Sequence, residues 1–536
     1  MKALFHLIKT AAIFGLLLAV GQPGSVQADQ TAPSVTTPFG AVRGRWVEEG
    51  IAVFKGIPYA KPPLGDLRFA PPEEITPWAE ELDCREFGPI APQVRSAASS
   101  SPQSLGMSED CLTLNIWAPR RPDQGEKLPV YVFIHGGGYA NGSGAVPIYD
   151  GTSFARRGIV AVTINYRLNA LGFLATQETF NQYGTTGNWG HLDQIKALEW
   201  IQKAIASFGG DPDKVTIGGE SAGSYSVSAL ILSPRAKGLF HKAIMESGTV
   251  ISAPVNTYYA KGDLERGIRF GSILASIFGA EDNAEGLARL RRADPSVLVQ
   301  LTRFDANLSN LPAFFLMPTF DGSVLPADPL AALQDGKFNR VKVLMGFNGQ
   351  EGSLFAPADT DENRLKMMVT LAVGPEKAGR VLDSLPLTED QPAGARLRQF
   401  LSYSMFISGM QIYADALADQ GLEVYGYHFT HSTEQTVKAG LGATHALELP
   451  FVFNNLSAMN IEGDRHQKLA DEMHLRWANF IKSGDPNQGE ALTSEVAWPK
   501  YQKDRPRLIR FDDKIEVIDW PDQDTSSFMR EMLFDH

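Results

Sequence analysis

Lys214-Val215-Thr216-Ile217-Gly218-Gly219-Glu220-Ser221-Ala222-Gly223-Ser224 decides how this chain is read. Lys214 to Ile217 has the β-branched texture of a short buried strand, and Tyr225 to Leu232 reads as the start of a helix. A serine between glycines, placed where a strand gives way to a helix, has the pattern of a nucleophile elbow. The turn is sharp enough to hold the serine in a strained backbone region, and side chains at Gly219 and Gly223 would collide across it. Ser221 Oγ is therefore expected at the carboxyl edge of a sheet, above the free N–H groups of a helix N-terminus.

Outward from the elbow the chain alternates strand and helix. Leu128 to Ile134 and Gly158 to Arg167 are apolar runs suited to covered strands. Leu192, Ile195, Leu198, Ile201 and Ile205 recur at helical spacing within His191 to Phe208, and Gly209-Gly210-Asp211-Pro212 stops that helix. Lys242 to Met245, Val341 to Phe347 and Val424 to Thr430 read as further strands, Asp464 to Ile481 as a helix, and Leu508 to Ile518 as a hairpin. This succession predicts an α/β fold: a large, mostly parallel central sheet with helices on both faces. Residues 250–320 and 355–420 are polar and helical, and are expected to form excursions over the active-site side of the sheet. Residues 29–536 are read as one catalytic domain without internal repeats.

The totals narrow the function. With 536 residues, 43% hydrophobic and 21% charged, the chain can bury a large core. A net charge of −12 without a basic stripe excludes a nucleic-acid partner. Lys2 and Lys9 precede the apolar run Ala11 to Val20, and Val26-Gln27-Ala28 offers small residues for cleavage. Residues 1–28 are thus expected to be a signal peptide cut after Ala28, and the protein to be secreted or periplasmic. No later stretch is long and apolar enough to span a bilayer. An exported chain with one pair of cysteines, Cys84 and Cys111, suggests a disulfide.

Ser221 needs a base, an orienting acid and an oxyanion hole. Glu351, in Asn348-Gly349-Gln350-Glu351-Gly352, directly follows the strand at 341–347 and is the expected acid; Asp321, lying before that strand among prolines, reads as a turn residue. His445, in Gly442-Ala443-Thr444-His445, sits on a loop after the last parallel strand, where the base belongs. His241, His428 and His431 fall on or beside strands, and His466 and His474 on a helix. His428 and His431 are set aside as metal ligands because no third ligand is placed with them, and no metal or other cofactor is expected. His135-Gly136-Gly137-Gly138 follows the strand at 128–134, and its glycines can turn the N–H groups of Gly137 and Gly138 toward one point, joined by that of Ala222. This glycine run lacks the Lys-Ser/Thr ending of a phosphate loop. Phe314 and Phe315, with Leu316 and Met317, form a candidate acyl pocket or plain core.

These motifs together resemble the type-B carboxylesterase family, the branch of the α/β hydrolases that includes cholinesterases and bacterial carboxylesterases. The matching pieces are Phe54-Lys55-Gly56-Ile57-Pro58-Tyr59-Ala60, Glu109-Asp110-Cys111-Leu112, His135-Gly136-Gly137-Gly138, Phe208-Gly209-Gly210-Asp211-Pro212, Gly219-Glu220-Ser221-Ala222-Gly223, Glu351-Gly352 and Gly442-Ala443-Thr444-His445. The resemblance implies the α/β-hydrolase fold, a Ser221–Glu351–His445 triad, an oxyanion hole from Gly137, Gly138 and Ala222, and a Cys84–Cys111 disulfide. It implies a serine esterase that acts on small-molecule esters through an acyl-enzyme. An amidase, carbamate hydrolase or lactonase using the same triad is the rival reading, and a non-catalytic adhesion protein a remote one. The chain departs from the cholinesterases in having no Trp within residues 85–110, where those enzymes seat a quaternary ammonium. His191 stands where relatives usually carry an apolar residue.

Overall fold

Along Leu128–Ile134 successive side chains leave the strand on opposite sides. Val130, Val132 and Ile134 enter one apolar cluster, Tyr131 and Phe133 another, so both faces of the sheet are covered. The structure, a computed structural model, describes residues 32–95, 101–120, 125–252, 264–302, 316–356, 360–384 and 393–534. Within them, Pro33–His536 forms one compact unit. The expected signal peptide, residues 1–28, lies outside the described residues, as do Phe314 and Phe315; Leu316 and Met317 are described and buried.

Fourteen strands are described: β1 (Ser34–Thr37), β2 (Gly40–Arg43), β3 (Arg45–Glu48), β4 (Ile51–Pro58), β5 (Leu82–Asp83), β6 (Thr113–Pro119), β7 (Leu128–Ile134), β8 (Val160–Ile164), β9 (Gly210–Glu220), β10 (Lys242–Glu246), β11 (Lys342–Asn348), β12 (Val424–Phe429), β13 (Arg507–Phe511) and β14 (Glu516–Asp519). β1, β2 and β5 make a small sheet. The other eleven form one sheet in the order β14-β13-β12-β11-β10-β9-β7-β8-β6-β4-β3. From β8 to β13 neighbours run parallel, and antiparallel strands flank this block on both sides. This is the α/β-hydrolase arrangement, an open, mostly parallel sheet with flanking helices.

The chain leaves β7 for β8 on one side, then returns to place β9 on the other. Strand order reverses there, and a crevice opens at the carboxyl ends of the strands. The register sets Ile134 opposite Gly219, so the residues that follow, His135 to Gly138 and Glu220 to Ser221, emerge side by side.

The helix predicted for His191 to Phe208 runs over Trp189–Ala204 and tightens into a 3₁₀ turn, Ile205–Phe208, ended by Gly209 at φ 84°. Asp464–Ser483 is the long helix of the opposite face, closed by Gly484 in the left-handed region. The first excursion contains the helices Leu264–Ile277, Ala284–Arg292 and Pro295–Leu301. The second contains Glu362–Val373, Pro375–Ser384, Ala393–Ser402, a π turn at Tyr403–Ile407 and Ser408–Asp419.

The expected disulfide is not formed. Cys84 and Cys111 are free thiols, both fully buried in the larger apolar cluster. The backbone of Cys84 is fixed between β2 and β4, its N–H donating to Arg43 O and its carbonyl accepting from Lys55 N. Burial pushes the Cys84 thiol up to about 12 and that of Cys111 higher still, so both pack as small apolar groups rather than as nucleophiles.

Candidate active site

Ser221 is the hinge between β9 and the helix Ala222–Leu232, at φ 56° and ψ −125°, a conformation rarely adopted by residues with a side chain. Its N–H donates to Glu246 O at 2.9 Å, which ties the turn to the end of β10. The glycines permit the close approach. A Cβ on Gly219 would lie 2.5 Å from Gly223 C, and one on Gly223 would lie 2.0 Å from Ile134 O. Ala222 opens the helix, so its N–H has no intrahelical acceptor.

The loop after β7 presses on this turn. A Cβ on Gly136 would stand 3.0 Å from Ser221 Cβ and 2.6 Å from Glu220 O. Gly137, Gly138 and Tyr139 follow at φ 104°, 62° and 57°. The His135 ring stacks on Tyr166, centroids 4.4 Å apart, and Tyr166 Oη donates to His135 O at 2.8 Å. Ser226, on the elbow helix, donates to Tyr139 Oη at 3.3 Å, so the glycine loop is bound to the helix that carries Ala222.

Glu351 begins a 3₁₀ turn just beyond β11, and His445 lies on the loop following the helix Glu434–Lys438. Both are buried, and His445 Nδ1 lies 2.6 Å from Glu351 Oε2. Glu351 Oε1 accepts the Asn348 N–H at 2.7 Å, which fixes the carboxylate. The two loops also bond to each other: Gln350 N–H donates to Ala443 O (2.9 Å), Ala443 N–H to Gln350 Oε1 (2.7 Å), and Asn348 Nδ2 to Thr444 O (2.8 Å). Phe406, on the π turn, and Phe355 pack on the imidazole with centroids 4.7 and 5.1 Å away. The second ring nitrogen, Nε2, faces Glu220 Oε1 at 3.0 Å and has no hydrogen-bond partner among the described residues. Glu351 and His445 thus stand beside the residue that precedes Ser221.

Sequence reasoning missed a group of mutually interacting buried carboxylates, one of which faces this histidine. Glu220, Glu246 and Glu448 are all buried, on β9, on β10 and just beyond the His445 loop. Burial, reinforced by neighbouring acids, pushes Glu220 and Glu448 well above the carboxylate range, and burial pushes Glu246 up to about 8. Glu220 lies within a quoted motif, but a sequence gives no sign that it meets Glu246 and Glu448 in one buried group.

The remaining candidates fall into structural roles. Asp321 Oδ1 accepts the N–H groups of Ser323, Val324 and Leu325 at 2.8–3.2 Å, a turn assignment that uses up that oxygen. His191 is fully buried with both ring nitrogens unpartnered among the described residues, edge-on to Tyr139 and Phe173 at 5.8 Å. Burial pushes it down to about 3, so it packs as a neutral aromatic ring in an apolar position. Among the described residues no helix is long and apolar enough to cross a membrane.

Comparison with known proteins agrees with this geometry. The profile of the carboxylesterase family matches residues 31–529. A para-nitrobenzyl esterase of Bacillus subtilis (strain 168) is 35% identical over 515 residues, covering 93% of this chain and 98% of its own. A fumonisin B1 esterase of Sphingopyxis macrogoltabida is 33% identical, covering 93% and 90%. Among solved structures, a Geobacillus stearothermophilus carboxylesterase superposes with a TM-score of 0.78 at 36% identity, covering 93% of this chain and 99% of that one. The chain belongs to the carboxylesterase family and is a carboxylic ester hydrolase.

Proposed function

We propose that Ser221, His445 and Glu351 form the catalytic triad of this esterase, with Gly137, Gly138 and Ala222 as its oxyanion hole. One observation carries the reading: His445 Nδ1 meets a buried carboxylate at 2.6 Å across 94 residues of chain, while its other nitrogen faces the residue before a strained serine. Ser221 Oγ attacks the ester carbonyl as His445 Nε2 takes its proton. Glu351 holds the ring and favours its charged form. Negative charge on the carbonyl oxygen is met by three backbone N–H groups, each worth about 10²–10³ in rate. The imidazolium then protonates the leaving alcohol, and water resolves the acyl-enzyme by the same path. Phe355 and Phe406 give the site an apolar wall beside the imidazole, suited to an uncharged acyl or alcohol group.

Labelling with a fluorophosphonate probe, followed by peptide mapping, tests the assignment. The adduct is expected on Ser221, and Ser221→Ala is expected to lose both label and p-nitrophenyl ester turnover while keeping its fold. Turnover retained in that variant refutes the nucleophile. A matched p-nitroanilide turned over as fast as the ester would favour an amidase instead. We further propose export, on the strength of the basic and apolar segments of residues 1–28; a secreted or periplasmic product whose N-terminus is Asp29 is the expected result.

A further inference from the structure

Apart from the candidate active site, the segment after β12 and the turn between β13 and β14 bring a histidine and two aspartates together. His431 is buried, with Nδ1 3.1 Å from Asp513 Oδ1 and 3.7 Å from Asp512 Oδ1. One ligand atom from each of the three residues lies within 4.8 Å of the others. These spacings straddle the edge of about 3.4 Å expected of a tetrahedron with arms of about 2.1 Å.

The far side of the imidazole is arranged like the outer shell of a metal site. His431 Nε2 lies 2.7 Å from His466 Nδ1, and His466 Nε2 lies 3.1 Å from Glu434 Oε2. Three contacts therefore run in a row: Glu434 to His466, His466 to His431, His431 to Asp513. Two neutral imidazoles carry only two N–H donors between them. If His466 donates to Glu434 and His431 to His466, the lone pair of His431 Nδ1 points at two carboxylates, acceptor against acceptor. A carboxylate–histidine chain of this kind sets the tautomer of a metal-binding histidine.

Charge points the same way. Asp513 and Glu434 share one guanidinium, Arg465, which donates to Asp513 Oδ2 at 3.2 Å and to Glu434 Oε1 at 2.8 Å, while Arg510 acts on Asp512. Asp512 Oδ2 accepts from Thr430 Oγ1 at 2.5 Å and Oδ1 from Asp513 N–H at 2.8 Å, while Arg510 is paired with Glu516. Asp513 is 60% exposed, which leaves an open path and room for water ligands.

We propose that His431 Nδ1, Asp512 Oδ1 and Asp513 Oδ1 bind one divalent first-row transition-metal cation of the Zn²⁺ type, with His466 and Glu434 orienting the imidazole. A single imidazole with carboxylate oxygens suits such a borderline ion. The ion would join the loop after β12, the β13–β14 turn and the helix Asp464–Ser483 at one point.

Calorimetric titration of the chelator-treated full chain, purified without a polyhistidine tag, tests this with ZnCl₂ alone. One saturable site is expected in the unsubstituted protein, with a raised melting temperature. Asp513→Asn, at an exposed position, is expected to fold and to bind about tenfold or more weakly. His431→Gln is expected to lose the site, and the Zn absorption edge of the loaded protein to report one imidazole among oxygen ligands. No saturable uptake, uptake unchanged in Asp513→Asn, or a His431 ring found as an imidazolium that excludes Zn²⁺ at neutral pH would each overturn the proposal.

Discussion

Glu246→Gln isolates what it costs to bury an acid beside the elbow strand. Glu246 is fully buried at the end of β10; its Oε1 accepts Trp477 Nε1–H at 2.8 Å, and its Oε2 has no partner among the described residues. Burial raises this carboxyl from an ordinary 4.5 to about 8. Below 4.5 folded and unfolded chains both hold the proton, and ionisation costs the fold nothing. Between 4.5 and 8 the unfolded chain releases the proton while the folded chain retains it, so stability falls as pH rises. The loss is about 1.4 kcal/mol per pH unit, or about 4 kcal/mol from pH 5 to pH 8. Glutamine keeps the oxygen that faces Trp477 and cannot ionise. Its amide N–H groups add a pH-independent penalty of about 1–3 kcal/mol where Oε2 had no partner. Glu220 and Glu448 titrate in both proteins and largely cancel in the difference. Urea unfolding of both proteins at pH 5, 6, 7 and 8 is the assay. The variant is expected to gain on the parent steadily with pH, and a difference that stays constant from pH 5 to pH 8 refutes the reasoning.

Three more outcomes are expected. Gly223→Ala drives a methyl to within 2.0 Å of Ile134 O, so turnover is expected to fall by orders of magnitude along with the melting temperature; near-normal kinetics would mean that the elbow is not held against β7. Asp193→Asn breaks a buried pair in which Arg167 donates from Nε and Nη2 to both carboxylate oxygens at 2.8 and 2.7 Å, and is expected to cost about 3–5 kcal/mol of unfolding free energy in urea. A loss below about 1 kcal/mol would contradict an uncompensated buried guanidinium. Both thiols are expected to react with a chromogenic disulfide only after denaturation without reductant, and a chain with no titratable thiol would contradict the free cysteines.

What the sequence disclosed is what local geometry demands. Gly219 and Gly223 leave a mark because only glycine tolerates the contact with Ile134, and the strands leave a mark because burial on two faces selects apolar runs. Glu351 and His445 were legible because each directly follows a recognisable strand or motif. Glu246 carried no local signature, since the Trp477 that binds it lies 231 residues further along the chain. The cluster at His431 was set aside for want of a third ligand; Asp512 and Asp513 supply two, but from a turn about eighty residues further along. The cysteine pair misled because parity and an expected export signal say nothing of how the two side chains are oriented in the core.

The mutual bonding of the Glu351 and His445 loops has a consequence for how such an enzyme can diversify. The segment between Leu354 and Leu441, which carries the second excursion and β12, is closed at its base, where Ser353 Oγ donates to Leu441 O at 2.9 Å and Gln350 grips Ala443. Its helices reach back to both loops: Ser402 Oγ accepts the Gly352 N–H at 2.8 Å, and Phe406 packs on the His445 ring with centroids 4.7 Å apart. Variation in the excursion that preserves these two contacts leaves the 2.6 Å approach of imidazole and carboxylate untouched, whereas variation at Ser402 or Phe406 reaches it directly.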